Sequence, residues 1–293
     1  MPVSPAKKPE WLKKPIPEAA ALHRMAELLR HRHLHTVCES ALCPNLGECF
    51  GRGTATFLIL GDICTRDCRF CGVTTGMPQA LNPEEPSEVA DAVAALGLSH
   101  VVITSVTRDD LPDGGAAHYA ATIRAVRAAC PGVTIEVLVP DFKGVAGHLD
   151  IVLAEVPEVF NHNIETVPRL YATVRPQAVY ERSLAVLRRA VEWGGGLVKT
   201  GWMVGLGERH DEVWALLGEV ASIGVDLVTI GQYLRPSKLH LAVAEYVPPE
   251  VFAEYQSYGE DLGLQVYAAP FVRSSFRAGE TYAKANHRGG SAT

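Results

Sequence analysis

Thr56-Phe57-Leu58-Ile59-Leu60-Gly61-Asp62-Ile63-Cys64-Thr65-Arg66-Asp67-Cys68-Arg69-Phe70-Cys71 decides how the chain is read. Five residues with the make-up of a buried strand run into three cysteines at C-x3-C-x2-C spacing. A continuous apolar run suits a parallel strand covered on both faces. In α/β barrels and open sheets, ligands collect at the carboxyl ends of the strands. Close-set thiolates select iron–sulfur clusters or zinc. Three ligands in place of four leave one metal position open for chemistry.

Upstream lies a second triplet, Cys38-x4-Cys43-x5-Cys49, so six of the seven cysteines fall between Cys38 and Cys71. A disulfide framework belongs to small secreted domains. This chain is long, its cysteine count is odd, and Met1–Lys8 lacks the apolar core of a secretory signal. Cytoplasmic metal binding is the expectation. The bland alternative is zinc completed by a remote histidine. His31, His33 and His35 stand near Cys38, but no second cysteine pair at finger spacing supports it. Cys130, before Pro131, reads as a small buried hydrophobe.

Downstream the chain alternates. Apolar strand candidates are Thr56–Leu60, His100–Val106, Thr134–Val139, Val159–Glu165, Val198–Leu206 and Leu227–Leu234. Helical stripes lie between them. Tyr119, Ile123 and Val126 form one, Leu184, Leu187 and Val191 another, and Val213, Leu216, Leu217 and Val220 a third. Six βα units in series predict a parallel sheet with right-handed crossovers. Either a partial, open (β/α)6 TIM-type barrel or a doubly wound sheet satisfies that pattern. Leu264–Ala269 reads as a seventh, edge strand, Ala19–Arg30 as an early helix, and Asn286–Thr293 as a frayed end.

At 293 residues, 47% apolar and 20% charged, the composition is that of an ordinary globular enzyme. A net charge of −6 argues against general affinity for nucleic acid or an anionic membrane. No apolar run approaches a membrane span. Lys7, Lys8, Lys13 and Lys14 read as a solvated basic arm.

Cys64-x3-Cys68-x-Phe70-Cys71, with an aromatic before the last cysteine, resembles the radical S-adenosylmethionine (SAM) enzymes. The resemblance implies a partial barrel and a [4Fe–4S] cluster whose open iron chelates SAM. Reduction of that cluster then cleaves SAM to a 5′-deoxyadenosyl radical. The upstream motif Cys38-Glu39-Ser40-Ala41-Leu42-Cys43-Pro44-Asn45-Leu46-Gly47-Glu48-Cys49 looks like that of the lipoyl synthase family. So do Thr104–Gly115, Met203–Glu208 and Gly231–Ser237. The match runs from about Pro9 to Ala278.

The resemblance also implies a second, auxiliary [4Fe–4S] cluster that is consumed as the sulfur source. Its ligands would be Cys38, Cys43, Cys49 and the second serine of a C-terminal Arg-Ser-Ser-Tyr motif. Here that stretch reads Arg273-Ser274-Ser275-Phe276, so the ligand carried over is Ser275, and Phe276 replaces the usual tyrosine. Composition alone would make both serines turn residues.

For SAM itself, Asn163 and Glu165 are ribose-side candidates. Asn161 joins them if Val159–Glu165 is one strand, because alternate residues share a face. The plain alternative is a polar strand end facing solvent. Thr107 and Asp109 are candidates for the methionine end, against a simple turn. Gly205 and Gly207 permit close backbone approach, although such a pair alone is weak. Arg175 and Arg235 can hold a carboxylate, but isolated arginines are usually surface residues.

The expected activity is insertion of two sulfur atoms at the sixth and eighth carbons of a protein-bound octanoyl-lysine. The implied partners are an octanoylated lipoyl-carrier domain or a glycine-cleavage H-type protein, a reducing electron donor and an iron–sulfur cluster repair protein. The expected division is residues 1–55 carrying the auxiliary cysteines, 56–263 forming the barrel, and 264–293 carrying Ser275. Competing readings are a biotin-synthase-like enzyme, a ferredoxin-like electron carrier and a structural zinc protein.

Overall fold

In a computed structural model the protein is described at residues 8–14, 27, 29, 32, 34–51 and 55–289. Ten strands occur among them. These are β1 (His35–Thr36), β2 (Thr56–Ile59), β3 (Ile63–Cys64), β4 (Thr74–Thr75), β5 (His100–Ser105), β6 (Thr134–Leu138), β7 (Val159–Asn161), β8 (Leu197–Val204), β9 (Leu227–Gln232) and β10 (Gln265–Ala268). Eight form one sheet in the order β1-β2-β5-β6-β7-β8-β9-β10. Every neighbouring pair is parallel except β1 and β2.

This order decides between the two architectures left open by the sequence. A doubly wound sheet reverses its strand order at a switch point. From β2 to β10 the order never reverses, so each unit adds on the same side, as in a barrel. The two edges, β1 and β10, are not paired to each other, and the barrel stays open there.

Helices Glu85–Leu96, Ala116–Ala129, Ala146–Leu153, Tyr180–Trp193, His210–Ile223 and Pro249–Asp261 link the seven parallel strands. The expected stripes face the sheet. Tyr119, Ile123, Val126, Leu184, Leu187, Val213, Leu216, Leu217 and Val220 are buried. Each such side chain contributes about 1.5–3 kcal/mol on burial.

The barrel interior holds an ion pair. Lys199 on β8 donates to Glu136 on β6 at 2.8 Å, and both side chains are 1% exposed. Asn161 reaches the same Glu136 carboxylate. Burial opposes the charge on Glu136, and Lys199 outweighs it, so the carboxyl sits below its ordinary range.

At the open side, segments from both ends of the sequence meet. The Asn45 amide donates to the Phe271 carbonyl at 2.7 Å, and Arg277 pairs with Glu48 at 3.0 Å. The Lys14 ammonium bonds to Asn45 and Glu48 and lies over the Phe271 and Phe276 rings. Lys14 is therefore a fastening, not part of a solvated arm.

Other expectations also change. The helix expected at Ala19–Arg30 lies outside the described residues apart from Glu27 and Leu29, both helical. His31, His33 and Lys7 lie outside them too. Of the stretch expected to fray, Asn286–Thr293, the part to Gly289 is helical, and residues 290–293 lie outside the described residues. Cys130 is half-buried against the core and ends the helix Ala116–Ala129.

Candidate active site

The C-x3-C-x2-C loop is folded by its own backbone onto the carboxyl ends of β2 and β5. Thr65 donates both N–H and hydroxyl to the Thr107 carbonyl, at 3.0 and 2.9 Å. Cys71 N–H closes a turn on the Cys68 carbonyl at 2.9 Å. Gly76 N–H returns to the Cys64 carbonyl, bringing β4 against β3.

Arg66, inside the loop, is buried. Its guanidinium meets Asp109 at 2.7 and 3.0 Å and Asp141 at 2.7 Å. Arg182 adds a second cation to Asp141. Burial would raise the Asp141 carboxyl, but Arg66 outweighs it and holds the group at about 2. This cluster ties the cysteine loop to the ends of β5 and β6.

Cys64, Cys68 and Cys71 line one cavity of about 320 Å³. The Cys64 sulfur accepts two backbone N–H groups, from Arg66 and Thr107, each at 3.4 Å. Burial pushes the Cys71 thiol up to about 12, and the neighbouring sulfurs push the same way. Burial also raises Cys68, with Arg175 opposing.

Thr107, Asn163 and Glu165 line this cavity as well. Their placement depends on a departure from regular strand. Asn161 pairs with Lys199, and Glu165 pairs next with Trp202. Four steps on one chain against three on the other make a bulge. The extra residue falls after Asn161, which keeps its regular place beside Lys199 and reaches Glu136 in the barrel interior, while Asn163 and Glu165 line the cavity. Glu165 takes a left-handed backbone at φ 71, which costs a non-glycine residue about 1 kcal/mol or more. The Asn163 amide donates to Glu165 at 3.0 Å and also meets the Ser274 hydroxyl. Burial raises the Glu165 carboxyl, and Arg175 opposes that rise.

Arg175 proves to be buried. Its guanidinium bonds to the Asn163 and Ile164 carbonyls and the Tyr171 phenol, and it lines the cavity. Neither Arg66 nor Arg175 carried a signal separating it from a surface arginine. Arg235 is bound up with a loop, donating to the Lys238 and His240 carbonyls.

Asp109, Gly205 and Gly207 do not line this cavity. Asp109 faces it only through Arg66. A Cβ at Gly205 would stand 2.1 Å from the Gln232 side-chain nitrogen and 2.5 Å from the Glu245 carbonyl oxygen. Packing against that segment therefore accounts for this glycine. The Gly207 carbonyl accepts from Arg169.

A second cavity, about 550 Å³, is lined by Cys38, Cys43, Cys49 and Ser275. Cys38, Cys43, Arg273 and Ser275 line both cavities and form the partition between them. Burial pushes the Cys38 thiol up to about 12. The tail reaches this place because β9 makes room. A Cβ at Gly231 would stand 2.1 Å from the Val272 carbonyl oxygen and 2.9 Å from Arg273.

The sequence matches the Radical SAM superfamily over residues 58–220. The lipoyl synthase of Pelodictyon phaeoclathratiforme is 55% identical over 276 residues, 94% of each chain. The chain belongs to the lipoyl synthase family. The lipoyl synthase of Thermus thermophilus is 50% identical over 285 residues, 96% of this chain and 88% of that one. Two solved structures share the fold. The FeFe-hydrogenase maturase HydG from Carboxydothermus hydrogenoformans has a TM-score of 0.54 at 14% identity, covering 92% of this chain and 78% of its own. Streptococcus suis SuiB bound to S-adenosylmethionine has a TM-score of 0.54 at 10% identity, covering 76% and 53%.

As a radical SAM enzyme, a lipoyl synthase uses SAM and a [4Fe–4S] cluster. The donor set suits such a cluster. Partly buried thiols that raise one another gain most from a cationic centre that takes them as thiolates. Two N–H groups already aim at Cys64, and such bonds tune cluster potential. Among the described residues, no three His, Cys, Asp or Glu side chains are arranged to hold a single metal ion. No helix among the described residues is long and apolar enough to cross a membrane.

Proposed function

We propose that Cys64, Cys68 and Cys71 hold the SAM-binding cluster, and that Cys38, Cys43, Cys49 and Ser275 hold a second, sacrificial [4Fe–4S] cluster. The observation that carries this reading is the gathering of Ser275 and the three upstream cysteines around one cavity, with Ser275 and two of those cysteines also bordering the other. When bound, the cofactors supply a radical able to take hydrogen from an unactivated carbon, and sulfur to replace it.

The protein's own work is placement. Thr107, Asn163 and Glu165 offer SAM polar contacts beside the three cysteines. Arg66, held by Asp109 and Asp141, keeps the loop in place. The half-buried Arg273 lines both cavities; burial lowers its pKa, and Cys43 and Glu165 oppose that, which sets it where both sites gather negative charge. The octanoyl chain needs no acid or base, only a dry path between the two ligand sets.

The substrate is the octanoyl-lysine of a carrier protein, in our reading a lipoyl-carrier domain or a glycine-cleavage H-type protein. A reducing electron donor and a cluster repair protein complete the cycle in the cytoplasm. Residues 1–55 and 264–293 act as two extensions that bring ligands to the barrel of residues 56–263, the second also adding its edge strand β10.

The test is anaerobic reconstitution with SAM, reductant and an octanoyl-lysyl peptide, followed by mass spectrometry. Both 5′-deoxyadenosine and peptide carrying two sulfurs are expected. Deoxyadenosine without sulfur transfer would reject the auxiliary site, and no cleavage of SAM would reject both.

A further inference from the structure

One loop after β9 reaches across the mouth of the barrel and grips the cysteine loop. The Leu241 N–H donates to the Arg69 carbonyl at 3.1 Å. The His240 Nε2 lies 2.9 Å from the Cys71 carbonyl. That carbonyl only accepts, so Nε2 carries the hydrogen, and Nδ1 then takes the Ser237 hydroxyl at 2.9 Å. Three further contacts hold the loop. The Tyr233 phenol donates to the Leu241 carbonyl at 2.8 Å, and Arg235 donates to the carbonyls of Lys238 and His240. Tyr233 is fully buried, so the far end of the strap is anchored in the core.

We propose that Arg235–Leu241 is a strap whose His240 is a positioning residue for Cys71, fixing the peptide of the last cysteine and shielding that side of its cluster. The proposal rests on the reading that Cys71 holds the SAM-binding cluster. The arrangement says more than that the loop is ordered. Both hydrogen bonds fall on the Arg69 and Cys71 carbonyls, within the final turn of the C-x3-C-x2-C motif. The imidazole is itself oriented from behind by Ser237. The tautomer is thereby fixed, as for histidines that must point one N–H at one target.

The consequences fall on the cluster, not only on turnover. A cluster with three thiolate ligands becomes more negative on reduction, so added solvent exposure favours the reduced state and raises the potential. Removing the donor also frees the Cys71 peptide.

The experiment uses the reconstituted full chain. The SAM-perturbed electron paramagnetic resonance signal reports this cluster, and its loss to a strong iron chelator is followed over time. His240→Ala is expected to raise the potential of that signal and to speed its loss about two- to tenfold, the worth of one hydrogen bond. His240→Gln keeps a donor nitrogen at similar reach and is expected to restore both. Tyr233→Phe cuts the anchor and is expected to move both readouts in the direction of alanine. A His240→Ala protein that matches the parent overturns the proposal, and so does a glutamine variant no better than alanine. If the alanine variant takes up no cluster, a Tyr233→Phe protein indistinguishable from the parent overturns it. Cys71→Ala must abolish the signal. A signal that survives that change rejects the underlying reading whatever His240 does.

Discussion

At the scale of single residues, charge and fit set the site. Asp141 has a folded value of about 2 against an ordinary 3.8, because Arg66 lies against it. A depressed carboxyl stabilises the fold above its unfolded value, and that stabilisation is lost as pH falls toward the folded one. The shift corresponds to about 2 kcal/mol at neutral pH. Asp141→Asn should therefore lose stability at pH 7 in urea melts, and the gap from the parent should shrink toward pH 2. An equal gap at both ends would refute the assignment.

Ser275 makes a second prediction. Ser275→Ala should lower auxiliary iron, while Ser275→Cys should hold iron but insert less sulfur, since thiolate releases iron less readily than alkoxide. Normal sulfur yield from the cysteine variant, by peptide mass spectrometry, would count against labile ligation. Gly231→Ala should act like a loss of Ser275. The Val272 carbonyl has nowhere to go at 2.1 Å, so the tail must lift and auxiliary iron should fall. The cysteines were legible in the sequence because spacing is a property of sequence. Arg66 and Arg175 were not, because burial of an arginine depends on partners that only the fold supplies, here Asp109, Asp141 and the carbonyls of the β7 bulge.

At the scale of elements, strands and stripes read well and local irregularity did not. The β7 region shows why. Alternation along Val159–Glu165 predicts three polar groups on one face; Asn161 keeps the regular register and meets Glu136, while one extra residue after it takes Asn163 and Glu165 out of that register. Nothing in the composition of that stretch marks the bulge, which depends on pairing with β8. The tail carries the prediction for this scale. A chain ending at Gly263 would also lose β10, whose Val266 is buried, so the barrel itself would suffer. Ending the chain at Val272 keeps that strand. It should cost the auxiliary site its iron while the Cys64, Cys68 and Cys71 site keeps its own. Iron counts equal to the full-length protein would refute this.

At the scale of the whole molecule, six repeated units made the α/β class readable. The choice of barrel needed the strand order, which no local pattern encodes. The interior ion pair reaches across β7, since β6 and β8 lie on either side of that strand in the sheet. Lys199→Met should cost up to about 3–5 kcal/mol by removing the lysine cation from buried Glu136, which keeps Asn161 and the His100 imidazole at 3.4 Å. Adding Glu136→Gln should recover much of that loss in urea melts. A double variant as unstable as the single one would show that the pair does not act as a unit.

The open seam between β1 and β10 also sets an order in time. Cys64, Cys68 and Cys71 lie in one short loop, and a growing chain can offer all three soon after they leave the ribosome. The other set must wait. Asn45 and Phe271 are bridged across 226 positions, and Glu48 and Arg277 across 229. Until synthesis has run past Ser275, Cys38, Cys43 and Cys49 have no serine to join them. On the proposed ligand assignment, the sulfur-giving set is therefore complete in the chain only near the end of synthesis, long after the three cysteines of the SAM-binding set.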